Sequence, residues 1–321
     1  MPNPFFPPND RIFYACQAIL KDGVFLEGVQ SAGVNWELQT EILLDIGKYK
    51  QQKHRYGKPQ YGITISRVLP KNGDFFFSSA SHPLESAAIG TGPNPRTWDM
   101  SLLYSADNQR FLNGTISKIT YNNCLLTSIG YSIQVDGPIK EDLSFESNSY
   151  TKVNDTIDLS STLPQDGVTV KRQDISFTSL PKEVLDAFDI GNTLDGKPIY
   201  GLQSIEINVE INYRDMLDVG TWENDFRLVE IPISVTSSFT GIVRSQFDHS
   251  RPDITYEYYN YSPNKTINIA ANAGGSSFRW NLGSDNYLTG YDFSGGDTEG
   301  GNVEATLTYQ NDSSEFYFTK S

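Results

Sequence analysis

The stretch GVQSAGVNWELQTEILLDIG, Gly28–Gly47, returns as GLQSIEINVEINYRDMLDVG, Gly201–Gly220, without a gap. Eight of the 20 aligned positions are identical: Gly28/Gly201, Gln30/Gln203, Ser31/Ser204, Asn35/Asn208, Glu37/Glu210, Leu44/Leu217, Asp45/Asp218 and Gly47/Gly220. Chance at ordinary residue frequencies supplies about one or two, so the chain is a duplication, and the period is far too long for a solenoid. In the second copy Ile205, Ile207, Val209 and Ile211 alternate with Glu206, Asn208, Glu210 and Asn212. In the first, Val34, Trp36 and Leu38 alternate with Asn35, Glu37 and Gln39. A period of two places one set of side chains on a core and the other toward water. The polar set holds only Asn, Gln and Glu. An ordinary solvated strand face tolerates Lys, Arg and Thr, whereas Asn and Glu are depleted in strands, so their retention in both copies points to a requirement on that face.

Working outward, a second strand follows each copy, Tyr61–Val68 with Ile63 and Ile65 inward, and Val229–Phe239, where Pro232 signals an edge or a bulge. Between repeat and second strand the first copy carries the loop KYKQQKHRYGKPQ, with Lys48, Lys50, Lys53, Arg55 and Lys58. A basic loop on an acidic chain suits contact with a neighbouring subunit, although charge runs are more often simply solvated. Further strands are expected at Thr115–Tyr121, Leu125–Val135 and Asp142–Phe145 around the turn Asp136–Gly137, and at Ser277–Asn281, Tyr287–Phe293 and Val303–Tyr309. One helix is expected at Leu180–Phe188, with Ser179 as its cap and Pro181 in its first turn. Asn148–Gln173, rich in Ser, Thr, Asp and Asn, places a domain boundary that divides the chain into 1–155, with an extended Pro-rich N-terminal arm, and 156–321.

The 321 residues are enough for two self-sufficient cores. The formal net charge of −14 opposes tight holding of nucleic acid through its phosphates, while leaving room for nucleic acid to slide past. Cys16 and Cys124 make neither a disulfide framework nor a zinc site and read as buried thiols. No apolar run is long enough to span a bilayer, and MPNPFFPPND does not read as a secretory signal. His54, His82 and His249 are not spaced as a metal pair, and no nucleophile elbow, Walker A lysine or H-E-x-x-H motif occurs. Asp292, Asp297 and Asn302 fit no calcium loop and read as a Gly-rich hairpin. Nothing points to catalysis or to a cofactor.

Gly28–Gly47, LTSIGYSIQVDGPIKEDLSFESN (Leu126–Asn148) and LGSDNYLTGYDFSGGDTEGGNVEATLTY (Leu282–Tyr309) together resemble the tail tube (major tail) proteins of long-tailed bacteriophages. The resemblance reaches both halves. It implies mainly β domains, two tandem antiparallel barrels or sandwiches with little helix. It also implies self-assembly into stacked rings around a DNA channel in a virion tail, built in the bacterial cytoplasm beside other tail proteins. Rings of this family are six-fold, so chains with two domains each would close a pseudo-hexamer as trimers. Asn35, Glu37, Gln39, Glu206, Asn208, Glu210 and Asn212 would then line the lumen, where double-stranded DNA passes without sequence-specific binding and without enzymatic activity. Two other readings stay open. One is another tail ring, such as a hub or distal-tail component. The other is a tandem sandwich that stacks sugars on Trp98, Trp222 or Trp280.

Overall fold

The computed structural model describes residues 17–43, 53–70, 76, 95–104, 116–155, 169–188, 201–216, 226–243, 265–273, 275–295, 303–313 and 316–320. These form β1 (Gln17–Lys21), β2 (Val24–Phe25), β3 (Val29–Leu43), β4 (Lys53–Val68), β5 (Trp98–Tyr104), β6 (Ile116–Gln134), β7 (Lys140–Ser147), β8 (Ser149–Asp155) and β9 (Ile175–Ser179). After the short helix α1 (Lys182–Phe188) come β10 (Leu202–Glu210), β11 (Tyr213–Met216), β12 (Phe226–Val229), β13 (Ser234–Ile242), β14 (Asn268–Ala273), β15 (Ser276–Asn281), β16 (Tyr287–Ser294), β17 (Glu304–Asn311) and β18 (Tyr317–Lys320). The fold is mainly β and antiparallel, as the alternation predicts. The expectation of a barrel is corrected, because among the described residues no sheet closes on itself.

The chain gathers into two compact units. One comprises Met1–Ser66, Thr97–Leu126 and Ser144–Asp166, and the other Arg67–Arg96, Thr127–Leu143 and Gly167–Ser321. Thus β6 gives its first half to one unit and its second half to the other.

In the first unit β5 lies between β1 and the first half of β6, which pairs on its other side with β8. Ile19, Leu20, Met100, Leu102, Leu103 and Leu125 are buried there, and Trp98 meets Phe145 edge-on at 6.4 Å. Tyr61, Tyr121 and Tyr150 form a ring cluster with centroids 5.3 to 6.3 Å apart. Burial raises the phenol pKa of Tyr61 and of Tyr121 above its usual value.

In the second unit the order β16-β17-β13-β10-β6 forms one sheet and β18-β15-β14-β9 another. They share a core in which Tyr131 of β6 packs edge-on against Trp280 of β15 at 5.7 Å and Phe318 of β18 at 5.1 Å. On the outer side of β13 and β17, Ser238 bonds Thr308 at 3.2 Å and Thr240 bonds Thr306 at 2.9 Å, a cross-strand hydroxyl ladder. The glutamate Glu183 of α1 pairs with Lys265 at 2.7 Å, which ties the helix down.

Several local expectations change. The segments 115–121 and 125–135 join as one strand, β6, whose ladder with β5 shifts register between Tyr121 and Cys124, where Asn123 takes a positive φ of 51°. Residues 53–60 are strand rather than loop, because the ladder pairing of β4 with β3 and β7 outweighs the weak strand propensity of Lys, Gly and Pro. The strand expected over 229–239 is broken between β12 and β13, where the Ile231–Pro232 peptide is cis. Ser179 does not cap the helix: it ends β9, and its hydroxyl donates to the Thr266 carbonyl at 3.1 Å. The amides of Val184 and Leu185 close the first helical turn on the Pro181 carbonyl instead.

Candidate functional surface on the repeated strand

The repeat is conformational as well as sequential. Gly28 and Gly201 both take positive φ, +77° and +105°, a region that disfavours any side chain. Two residues on, each copy closes the same small loop: the Gln30 side-chain amide donates to the Gly28 carbonyl at 3.2 Å, and that of Gln203 to the Gly201 carbonyl at 3.4 Å. This turn sends each chain into its long strand in the same phase.

The second copy behaves as its alternation dictates. β10 is central, paired with β13 on one side and with β6 on the other. Ile205, Ile207, Val209 and Ile211 are buried, and Glu206, Asn208, Glu210 and Asn212 are exposed. Asn208 stands opposite Gly130 of β6, and its Oδ1 lies 3.0 Å from where a Cβ on that glycine would be. The glycine therefore leaves room for the amide to lie flat on the sheet.

The first copy differs. Among the described residues β3 pairs with β4 and with no other strand, so it is an edge. Asn35 and Glu37 are exposed as expected, and Asn35 lies over Gly62 of β4 much as Asn208 lies over Gly130. The apolar set, expected to face a core, is exposed too: Val34 by 38%, Trp36 by 66% and Leu38 by 37%. An edge strand lacks the second neighbour whose side chains would cover it.

Of the other expected site residues, the backbone of Gln39 lies in β3 and those of Lys53, Arg55 and Lys58 in β4, with side chains outside the described residues. Lys48 and Lys50, the N-terminal arm, Cys16, Trp222 and the Gly-rich turn 296–302 lie outside them altogether. Trp98 and Trp280 are buried and present no stacking surface.

Comparison with known protein families finds no matching model, and comparison with curated proteins finds no matching sequence. The surface must be read from its own chemistry. Among the described residues no group of three His, Cys, Asp or Glu side chains is placed to hold a metal ion, and no helix is long and apolar enough to cross a membrane.

One polar constellation escapes sequence reading. Arg67 at the end of β4 is buried in an ion pair with Glu141 of β7. The same carboxylate accepts the Tyr131 hydroxyl at 2.8 Å and the Phe76 amide at 3.1 Å. Burial, then the Glu141 charge, drives the Tyr131 pKa well above its usual value, with Arg67 opposing. The only sequence trace is the phase of Glu141, which shares the inward face of β7 with Leu143 and Phe145. Buried as it is, this network serves to hold structure.

Proposed function

We propose that this chain is a virion structural protein that assembles with copies of itself into stacked rings, forming a tail tube through which DNA passes. The observation that carries the reading is the outward face of β10 and the residues just after it: Glu206, Asn208, Glu210 and, two residues past the strand, Asn212 are exposed acids and amides without one cation. Such a wall offers hydrogen bonds to water and no ion pairs to phosphate, so DNA can move along it unheld. Asn35, Glu37 and Gln39 continue the same composition in the other copy.

In this reading the seven residues line the lumen, and Lys48, Lys50, Lys53, Arg55 and Lys58 serve contacts between subunits. The protein acts in the tail beside other tail proteins and has no enzymatic role. A ring of three chains would carry six copies of the repeated strand. Burial of Trp98 and Trp280 weighs against the sugar-binding alternative. Negative-stain microscopy of the purified chain tests the reading: hollow rings or tubes are expected, and a monomer at all concentrations would overturn it.

A further inference from the structure

The two copies are laid out in the same order. In the first, β3 pairs with β4, β4 with β7, and β7 with β6; in the second, β10 pairs with β13, β13 with β17, and β17 with β16. The matching extends to side chains. β7 turns Glu141, Leu143, Phe145 and Ser147 inward, and β17 turns Ala305, Leu307, Tyr309 and Asn311 inward. The pair Gly130–Tyr131 in β6 reappears as Gly290–Tyr291 in β16. So β16 is to the second copy what the latter half of β6 is to the first.

That latter half already has a partner, β10, the opening strand of the next copy. They pair antiparallel, with Ser204 opposite Gln134, Ile205 opposite Ile133, Ile207 opposite Tyr131 and Asn208 opposite Gly130. The apolar side chains on both sides of this junction are buried. The equivalent strands β16 and β3 have no such neighbour among the described residues, each pairing with a single strand, β17 and β4. Positions buried at the junction are accordingly exposed on β3: Trp36 (66%) matches Val209 and Val34 (38%) matches Ile207. An uncovered apolar edge strand is a template for strand addition.

We propose that β16 of one molecule adds to β3 of a second copy, in the register the chain already uses between β6 and β10. Asn35 then faces Gly290 of the other copy, Val34 faces Tyr291, Gly33 faces Asp292 and Ser31 faces Ser294. The contact joins two different edges, so it repeats from molecule to molecule and builds a ring or a filament rather than a symmetric dimer. This inference rests on the self-assembly reading and adds which strands meet and how.

The register can be tested by cross-linking. The Ile211 amide bonds the Thr127 carbonyl at 2.8 Å and the Val135 amide bonds the Gln203 carbonyl at 3.0 Å. Ser204–Gln134 is therefore a pair without mutual backbone bonds, and such pairs have Cα atoms about 4.5 Å apart, within disulfide reach. Its counterpart across the proposed contact is Ser31–Ser294, both exposed. The full chain with Cys16→Ala is made as two single variants, Ser31→Cys and Ser294→Cys, and oxidised separately and mixed. A covalent dimer is expected from the mixture alone, with at least tenfold less when Asp292→Cys replaces Ser294→Cys. Trp36→Glu should weaken association at least tenfold by sedimentation while leaving the thermal midpoint in place. A dimer from Ser31→Cys alone, or equal yields in both registers, would overturn the proposal. Rings by microscopy without the Ser31–Ser294 bond would overturn it while leaving the tube reading standing. A monomer without any cross-link would remove both, and would mean that the chain's own segments cover the β3 edge.

Discussion

The Gln203 side-chain amide reaches back to the carbonyl of Gly201, 3.4 Å away, and closes a turn that only the positive φ of that glycine permits. Gln30 and Gly28 repeat the arrangement at 3.2 Å, so the two copies share a conformation at their least permissive point. Gly201→Ala and Gly28→Ala should each destabilise their unit by about 1–3 kcal/mol, the cost of holding a side chain in this backbone region. Urea denaturation checks it. Gln203→Ala should cost less, about 1 kcal/mol, because it removes one hydrogen bond beside solvent.

The Arg67–Glu141–Tyr131 network predicts a larger loss. Glu141→Gln removes the carboxylate charge that pairs with the buried Arg67 guanidinium, and breaking such a pair costs about 3–5 kcal/mol. Tyr131→Phe removes one bond to a carboxylate, about 1.5–3 kcal/mol. Both are read from denaturation midpoints.

The network also sets an alkaline limit. Folding raises the Tyr131 pKa, so the folded state holds that proton more tightly than the unfolded one. Its contribution is complete below the unfolded value of about 10 and fades as pH rises above it toward the folded value. Denaturation midpoints should therefore fall steeply above that pH, and less steeply in Tyr131→Phe.

Cys124 is buried beside Tyr121, its thiol donating to the Tyr121 carbonyl at 3.2 Å, and burial pushes its pKa up to about 12. The thiolate is the reactive form. Alkylation at mildly alkaline pH should spare Cys124 in the native chain and modify it in denaturant, as peptide mass spectrometry would show.

The tube reading makes a charge prediction. Glu206→Lys with Glu210→Lys changes only exposed side chains of β10, so the fold should persist with stability changed by less than about 1 kcal/mol. Assembled particles should then retain double-stranded DNA at low salt and release it as salt rises. Co-sedimentation measures this, and the unsubstituted protein should retain none.

Strands are legible in the sequence wherever one face is buried. Ile205 to Ile211 point inward as their alternation requires, and β15, β16 and β17 begin and end within two residues of expectation. The first copy shows the limit of the same rule. Val34, Trp36 and Leu38 alternate as cleanly, yet alternation tells which residues share a face and not whether anything covers it. Residues 53–60 read as a basic loop because the pairing that makes them strand comes from other strands, β3 and β7, and leaves no mark on their own composition. Ser179 carries a helix-cap signal, but its hydroxyl is taken by Thr266, far along the chain. Glu141 is hidden because a carboxylate on an inward phase is interpretable only once Arg67 and Tyr131 are seen around it.

The passage of β6 from one unit to the other bears on modularity. Duplicated genes usually leave products that can be cut apart and studied singly. Here a break at 155/156 would carry Thr127–Leu143 away from the unit they help to build, stripping β10 of its β6 ladder and Trp280 and Phe318 of the Tyr131 ring packed against them. The second repeat does not stand alone: its compact unit is completed by residues that precede the boundary.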